Sequence, residues 1–192
     1  MLVCEGTNTE PSYFNALKFK TATIEAVGEG YNTISLVRRA DQLAKTRVFD
    51  EVWCIFDKDD FPDHDFNQAI SLAQSRGFRV AYSNQAFEYW LLLHFNDHQG
   101  GSLHRKHYAD LINDAVAPLG AWYDGTGSKL VTPELFHLLF GYDEKTKKQR
   151  VELAIERAKR VYGRYNHQSP AQEESSTTLH VLLSHLLSFN LT

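Results

Sequence analysis

Cysteine is scarce in this chain: two residues in 192, Cys4 and Cys54, without CxxC spacing. That excludes a disulfide-stapled scaffold and a thiolate zinc module, and both thiols are expected to be buried side by side in neighbouring strands. Long apolar runs are missing too. The longest candidate, Trp90 to Leu93, is far too short to span a bilayer, and no charged-then-apolar leader opens the sequence. A cytoplasmic protein with no membrane partner is therefore expected. Neither sign of charge dominates: 20 Lys and Arg against 24 Asp and Glu give a formal charge of −4. A chain with that balance is not drawn to nucleic acid by bulk charge. A phosphodiester substrate stays open, because metal ions and a local basic stripe can offset an acidic centre.

What is present is ordinary globular material, 43% hydrophobic and 23% charged, long enough for one domain plus an extension. Short β-prone runs alternate with helical periodicity through the first half. Leu2 to Cys4 reads as a strand, with only four residues ahead of Glu5, so that strand is expected to be short. Thr9 and Pro11 signal a helix start, with Thr9 as candidate N-cap and Tyr13, Phe14 and Leu17 at helical spacing. A second strand is expected over 21–27, closed by Gly28 and Gly30. Asn32 or Thr33 then caps a helix with apolar positions Ile34, Val37, Ala40 and Leu43. Val52 to Phe56 is uniformly apolar, as a central parallel strand should be. A helix over 66–75, ended by Gly77, and a strand over 78–83 complete a βαβαβαβ series. From Phe87 onward helices are expected over 87–95, 107–116, 133–140, 147–165 and 178–189, with 168–176 a loop. The expected architecture is α/β, a parallel core over residues 1–95 with a helical extension over 96–192.

Two strands end abruptly in carboxylates: Leu2-Val3-Cys4-Glu5-Gly6 and Val52-Trp53-Cys54-Ile55-Phe56-Asp57-Lys58-Asp59-Asp60. Parallel strands deliver such residues to the carboxyl edge of the sheet, where open α/β folds place their sites. Glu5, Asp57 and Asp59 gathered there would repel one another unless a divalent cation sat between them. Oxygen donors of this kind suit Mg²⁺ or Mn²⁺. Asp57 and Asp59, two apart, are expected to point the same way while Lys58 points elsewhere, and Gly6 would let a phosphate or metal approach the backbone. The competing view makes 57–65 a solvated acidic turn. A receiver-like signalling module also matches Glu5, Asp57 and Ser83, but no fifth strand ending in lysine is visible.

Cys4-Glu5-Gly6-Thr7-Asn8-Thr9-Glu10-Pro11 and Phe56-Asp57-Lys58-Asp59 resemble the Glu and DxD motifs of the Toprim fold. With Asn67-Gln68-Ala69-Ile70, Ala81-Tyr82-Ser83-Asn84, Phe87 to Phe95 and Ser176 to His180, nearly the whole chain resembles the RloB-like family. One departure is Gln85, where a proline is expected after Asn84. The resemblance implies a Toprim-like, metal-dependent nuclease of bacterial abortive-infection defence, often encoded beside an ABC-type ATPase. It assigns Asp57 and Asp59 as metal ligands and Glu5 as a ligand or general acid/base. A noncatalytic partner protein using the same acids for regulation is the alternative.

Further candidates have a plain reading beside the functional one. Glu88, in an apolar helix, is a further site carboxylate or a structurally paired charge; Asp60 and Lys58 are further site candidates. Arg150, Arg157, Arg160 and Arg164 fall on one helical stripe that either contacts nucleic-acid phosphates or forms an ordinary solvated face. Arg38 and Arg39 are weaker phosphate candidates. His94, His98, His104 and His107 cluster in sequence, but Gly100-Gly101 interrupts them and a structural set is expected rather than zinc. Gly125-Thr126-Gly127-Ser128-Lys129 lacks the spacing of a P-loop, so any ATP-driven step falls to a partner.

Overall fold

The computed structural model describes residues 1–20, 23–28, 30, 33–101 and 103–189. Among them the order is β1 (Leu2–Cys4), α1 (Thr9–Asn15), β2 (Ala26–Gly28), α2 (Thr33–Ala44), β3 (Trp53–Asp57), α3 (Asp63–Ser75), β4 (Arg79–Asn84), α4 (Phe87–Leu93), α5 (Tyr108–Val116), α6 (Pro133–Phe140), α7 (Arg150–Tyr162), β5 (Ser176–Thr177) and α8 (Leu179–Leu187). The strands form one sheet in the order β2-β1-β3-β4-β5. The first four are parallel, and β5 pairs antiparallel with β4. This is the expected α/β arrangement, a mainly parallel sheet flanked by helices.

Strand alternation sorts the core into two layers. Leu2, Cys4, Trp53, Ile55 and Ala81 face a cluster that includes residues of α1, α4, α5 and α8. Val3, Cys54, Phe56 and Tyr82 face the other, built on α2 and α3. All five residues of β3 are buried, as its apolar run demands. The cysteines are not side by side. Cys4 pairs in register with Ile55, and Cys54 with Val3, so the two thiols back opposite faces. Both are free, and burial pushes both up, Cys54 to about 12, which leaves them unreactive.

Several boundaries move. Asn8, not Thr9, precedes the first helix, and Thr9 is its first residue. The second strand begins at Ala26 and contains Gly28; Thr21 and Ala22 lie outside the described residues, as does the candidate cap Asn32. The 168–176 loop contains a 3-10 turn at Pro170–Gln172 and ends in β5. The segment beyond residue 95 thus contributes a strand to the sheet and α8 to its face. No described helix is long and apolar enough to cross a membrane.

Candidate active site

The connections from β1 and β3 leave in opposite directions, β1 towards β2 and β3 towards β4, which opens a crevice at their carboxyl ends. Glu5 is the first residue past β1, and Asp57 is the last of β3. The Glu5 amide donates to the Ile55 carbonyl at 2.9 Å. The Asp57 amide in turn donates to Glu5 Oε2 at 3.1 Å, so the Glu5 carboxylate continues the ladder where β1 ends. Asp57 Oδ2 accepts the Phe87 amide at 3.0 Å, at the start of α4. Asp59 reaches the same place by a different route. β3 has already ended, and Asp59 sits in a turn with φ +44°, its amide bonded to the Gln85 carbonyl at 3.0 Å. Strand alternation therefore does not explain the convergence of Asp57 and Asp59; the turn does.

Together they line a pocket of about 190 Å³ that holds five carboxylates, Glu5, Glu10, Asp57, Asp59 and Glu88. Two cations, Arg105 and Lys129, line it as well. Glu10 is the carboxylate that was not anticipated. It is buried in the first turn of α1, and its Oε1 accepts the Gly6 amide at 3.1 Å. A Cβ on Gly6 would lie 2.1 Å from Glu10 Oε2, so the glycine admits this carboxylate rather than an incoming ligand. Gly28 matters in the same way, because a Cβ there would meet Gly6 O at 2.4 Å and push the loop off β2. The signal for Glu10 was an acid one helical turn beyond the site loop, beside the Pro11 helix start. Glu88 is buried, with Oε1 accepting from the Tyr123 hydroxyl at 2.9 Å; that hydroxyl also lies 3.3 Å from Thr9 Oγ1.

Crowding makes the ionised forms of Glu5, Glu10, Asp57 and Asp59 costly. Burial is the main cause in each case. It raises Glu5 to about 8, against the Asp57 amide bond and with help from the Asp59 charge. It raises Glu10 to about 7. Asp57 is driven well above the carboxylate range by burial and then by Glu10, Asp59, Glu88 and Glu5. Asp59 is also raised by burial, but its neighbour Arg105 opposes the shift. Burial works against the Arg105 charge, and Asp59, Asp57 and Glu88 outweigh it, so the guanidinium is held more firmly protonated.

This donor set fits a hard divalent cation: only oxygens, in excess of the positive charge beside them. As the side chains stand, no group of three or more His, Cys, Asp or Glu among the described residues is arranged to hold a metal ion. The hydrogen bonds explain that. Glu5 is turned to the Asp57 amide, Asp57 to the Phe87 amide and Glu88 to Tyr123, while Arg105 is paired with Asp59.

Other candidates fall outside the pocket. Asp60 is exposed. Lys58 is buried but turned away, with Nζ bonded to the Phe61 carbonyl at 2.5 Å and 3.3 Å from Asp63 Oδ1. Arg38 and Arg39 lie on α2, which contributes to the layer on the other sheet face. The stripe arginines, three on α7 and Arg164 just past its end, are bonded within the protein: Arg150 to the Leu138 carbonyl at 3.0 Å, Arg157 to the Leu93 carbonyl at 2.7 Å, and Arg164 to Gln99 O and Oε1 at 2.6 and 2.7 Å. Arg160 pairs with Asp97. These bonds fasten this segment to the last turns of α4 and α6 and to the residues that follow α4. His94 is buried, its Nδ1 donating to the Trp90 carbonyl at 2.9 Å and its Nε2 3.4 Å from the Tyr13 hydroxyl; His104 Nδ1 accepts the Lys106 amide. In the Gly125–Lys129 loop, the amides of Gly127 and Ser128 donate to the Asp124 carboxylate, both at 2.8 Å, so they are turned to Asp124 and not to a phosphate. Ser83, the receiver-like candidate, bonds Thr177 at 3.0 Å, and the fifth strand is antiparallel, two residues long and without lysine.

Fold and site together define an α/β protein with an acidic pocket at the switch point of its parallel strands. A family model described as RloB-like protein matches residues 1–186, and the chain belongs to the RloB-like family. No curated protein and no solved structure matches the chain.

Proposed function

We propose that this protein hydrolyses phosphodiester bonds of nucleic acid with the aid of Mg²⁺ or Mn²⁺, as a Toprim-like nuclease. The single observation that carries the reading is the pocket itself, in which five carboxylates face two cations. Asp57 and Asp59 would hold the ion and Glu5 would complete its oxygen shell or handle the proton, with Glu10 within the same pocket. When bound, the ion supplies Lewis-acid polarisation of the phosphoryl oxygen and a lowered pKa for water. The residues do the rest. Glu5, held at the end of β1 by the Asp57 amide, is placed to take or return the proton. Water adds across one P–O bond: its oxygen joins phosphorus, one proton passes to a carboxylate, and the leaving alkoxide gains a proton to become an alcohol. The Phe87 amide keeps Asp57 oriented throughout.

The family resemblance supports a place in bacterial antiviral, abortive-infection defence, working beside an ABC-type ATPase. The test is digestion of plasmid, single-stranded DNA and RNA with Mg²⁺ or Mn²⁺, comparing wild type with Asp57→Asn. Cleavage by the wild type alone is expected. Equal cleavage by both proteins would overturn the assignment.

A further inference from the structure

We infer that Arg105 and Lys129, both from the segment beyond residue 95, bind the substrate's phosphodiester, and that Arg105 stands in for the cation at Asp59 until that cation arrives. The inference rests on the proposed nuclease reading and gives it a substrate contact. Arg105 is paired with Asp59 and remains one-third exposed. Its own amide donates to Gln85 Oε1 at 3.1 Å, while the Gln85 carbonyl accepts the Asp59 amide. One glutamine thus ties the backbone of Arg105 to the turn that carries Asp59.

Lys129 is placed as deliberately. It lies at φ +52°, its amide bonded to the Asp124 carbonyl at 3.0 Å. Asn8 Nδ2 donates to the Ser128 carbonyl at 2.9 Å and so fastens this loop to the start of α1. Lys129 is among the residues that line the pocket, and its ammonium makes no hydrogen bond or ion pair with any described residue. A lysine that borders a pocket of surplus acids, with its ammonium paired to no described residue, is available to an incoming anion.

The lining narrows what that anion is. It consists of acidic, small polar and basic residues, with Phe87 the one aromatic among them, and so offers charge to a phosphate rather than a stacking platform to a base. The contact is therefore with backbone phosphate and independent of sequence. A divalent ion at Asp57 and Asp59 repels the guanidinium, whose planar fork matches a phosphate. Metal and Arg105 therefore compete for Asp59, whereas metal and substrate reinforce one another.

Two measurements test this: Mn²⁺ affinity by calorimetry, and affinity for a thymidine decamer in Ca²⁺ over a series of salt concentrations. Arg105→Gln should bind Mn²⁺ about fivefold tighter, the release of one partly exposed ion pair. It should bind the decamer about tenfold more weakly, through loss of a charge-assisted contact. Its salt slope should fall by about 0.7, as should that of Lys129→Gln. Unchanged or weaker Mn²⁺ binding by Arg105→Gln, or wild-type salt slopes in both variants, would overturn the inference. If wild type binds no Mn²⁺, the nuclease reading itself fails; if it binds Mn²⁺ and cleaves while both variants keep wild-type slopes, only this inference does. Should Arg105→Gln fail to fold, the salt slope of Lys129→Gln decides alone.

Discussion

The arginines on and just past α7 and the acids of the pocket are both dense clusters of a single charge. Each arginine has an acceptor inside the protein: a carbonyl for Arg150 and Arg157, Asp97 for Arg160 and Gln99 for Arg164. The pocket instead sets five carboxylates against two cations and raises Glu5, Glu10, Asp57 and Asp59 above their ordinary values. The first cluster is satisfied and holds helices together. The second is left wanting positive charge, and that imbalance is the reason for proposing it as the site. Density of charge along a sequence does not separate the two cases; the partners supplied by the fold do.

The largest expected effect is at Asp57. Asp57→Asn retains an acceptor for the Phe87 amide, so the fold should persist while cleavage falls at least ~100-fold, of the order seen when one electrostatic group of an active site is removed. The metal-free variant should also be more stable than wild type by about 1–3 kcal/mol in urea melts at pH 7, because folding no longer has to drive a carboxyl well above its ordinary value. A less stable variant would mean that the pocket is already balanced, like α7. Next is the metal itself. Mn²⁺ at about 100 times its Kd should stabilise wild type by about 2.7 kcal/mol, read as a rise in melting temperature that EDTA reverses.

The arginine side of the comparison is sharpened by Arg157→Ala. Removing the donor to the Leu93 carbonyl should cost about 1–3 kcal/mol and leave the decamer salt slope unchanged. A lowered slope at unchanged stability would restore the α7 stripe as a phosphate contact.

His94 provides the pH test. Burial lowers it to about 3 from an ordinary value near 6.5. The folded protein therefore keeps it neutral where the unfolded chain takes up a proton. Its contribution is fully present above about pH 6.5 and is lost as pH falls towards 3, by about 1.4 kcal/mol per unit. Urea melts at pH 7 and pH 5 should show a smaller loss in His94→Gln than in wild type. The smallest effect belongs to Arg160→Ala, whose exposed pair with Asp97 should change stability by no more than about 0.5 kcal/mol.

Much of the core was legible because its signals are local. The apolar run of β3 marked the central strand, Pro133 set the start of α6, and Glu5, Asp57 and Asp59 stood out as acids at strand ends. What escaped depends on distance in sequence. β5 is two residues long and exists only by pairing with β4, so no periodicity announces it. Arg105 meets Asp59 across 46 positions, and Lys129 is brought in by a loop tied to Asn8, 120 residues away from the carbonyl it holds. The offset between Cys4 and Cys54 is a one-residue register, which sequence alone leaves open.

The most direct test is calorimetric titration of the metal-free protein with Mn²⁺, run alongside Asp57→Asn. We expect saturable binding by wild type and its loss in the variant. Absence of binding to wild type, or equal binding by both, would contradict a divalent cation at the meeting point of Glu5, Asp57 and Asp59.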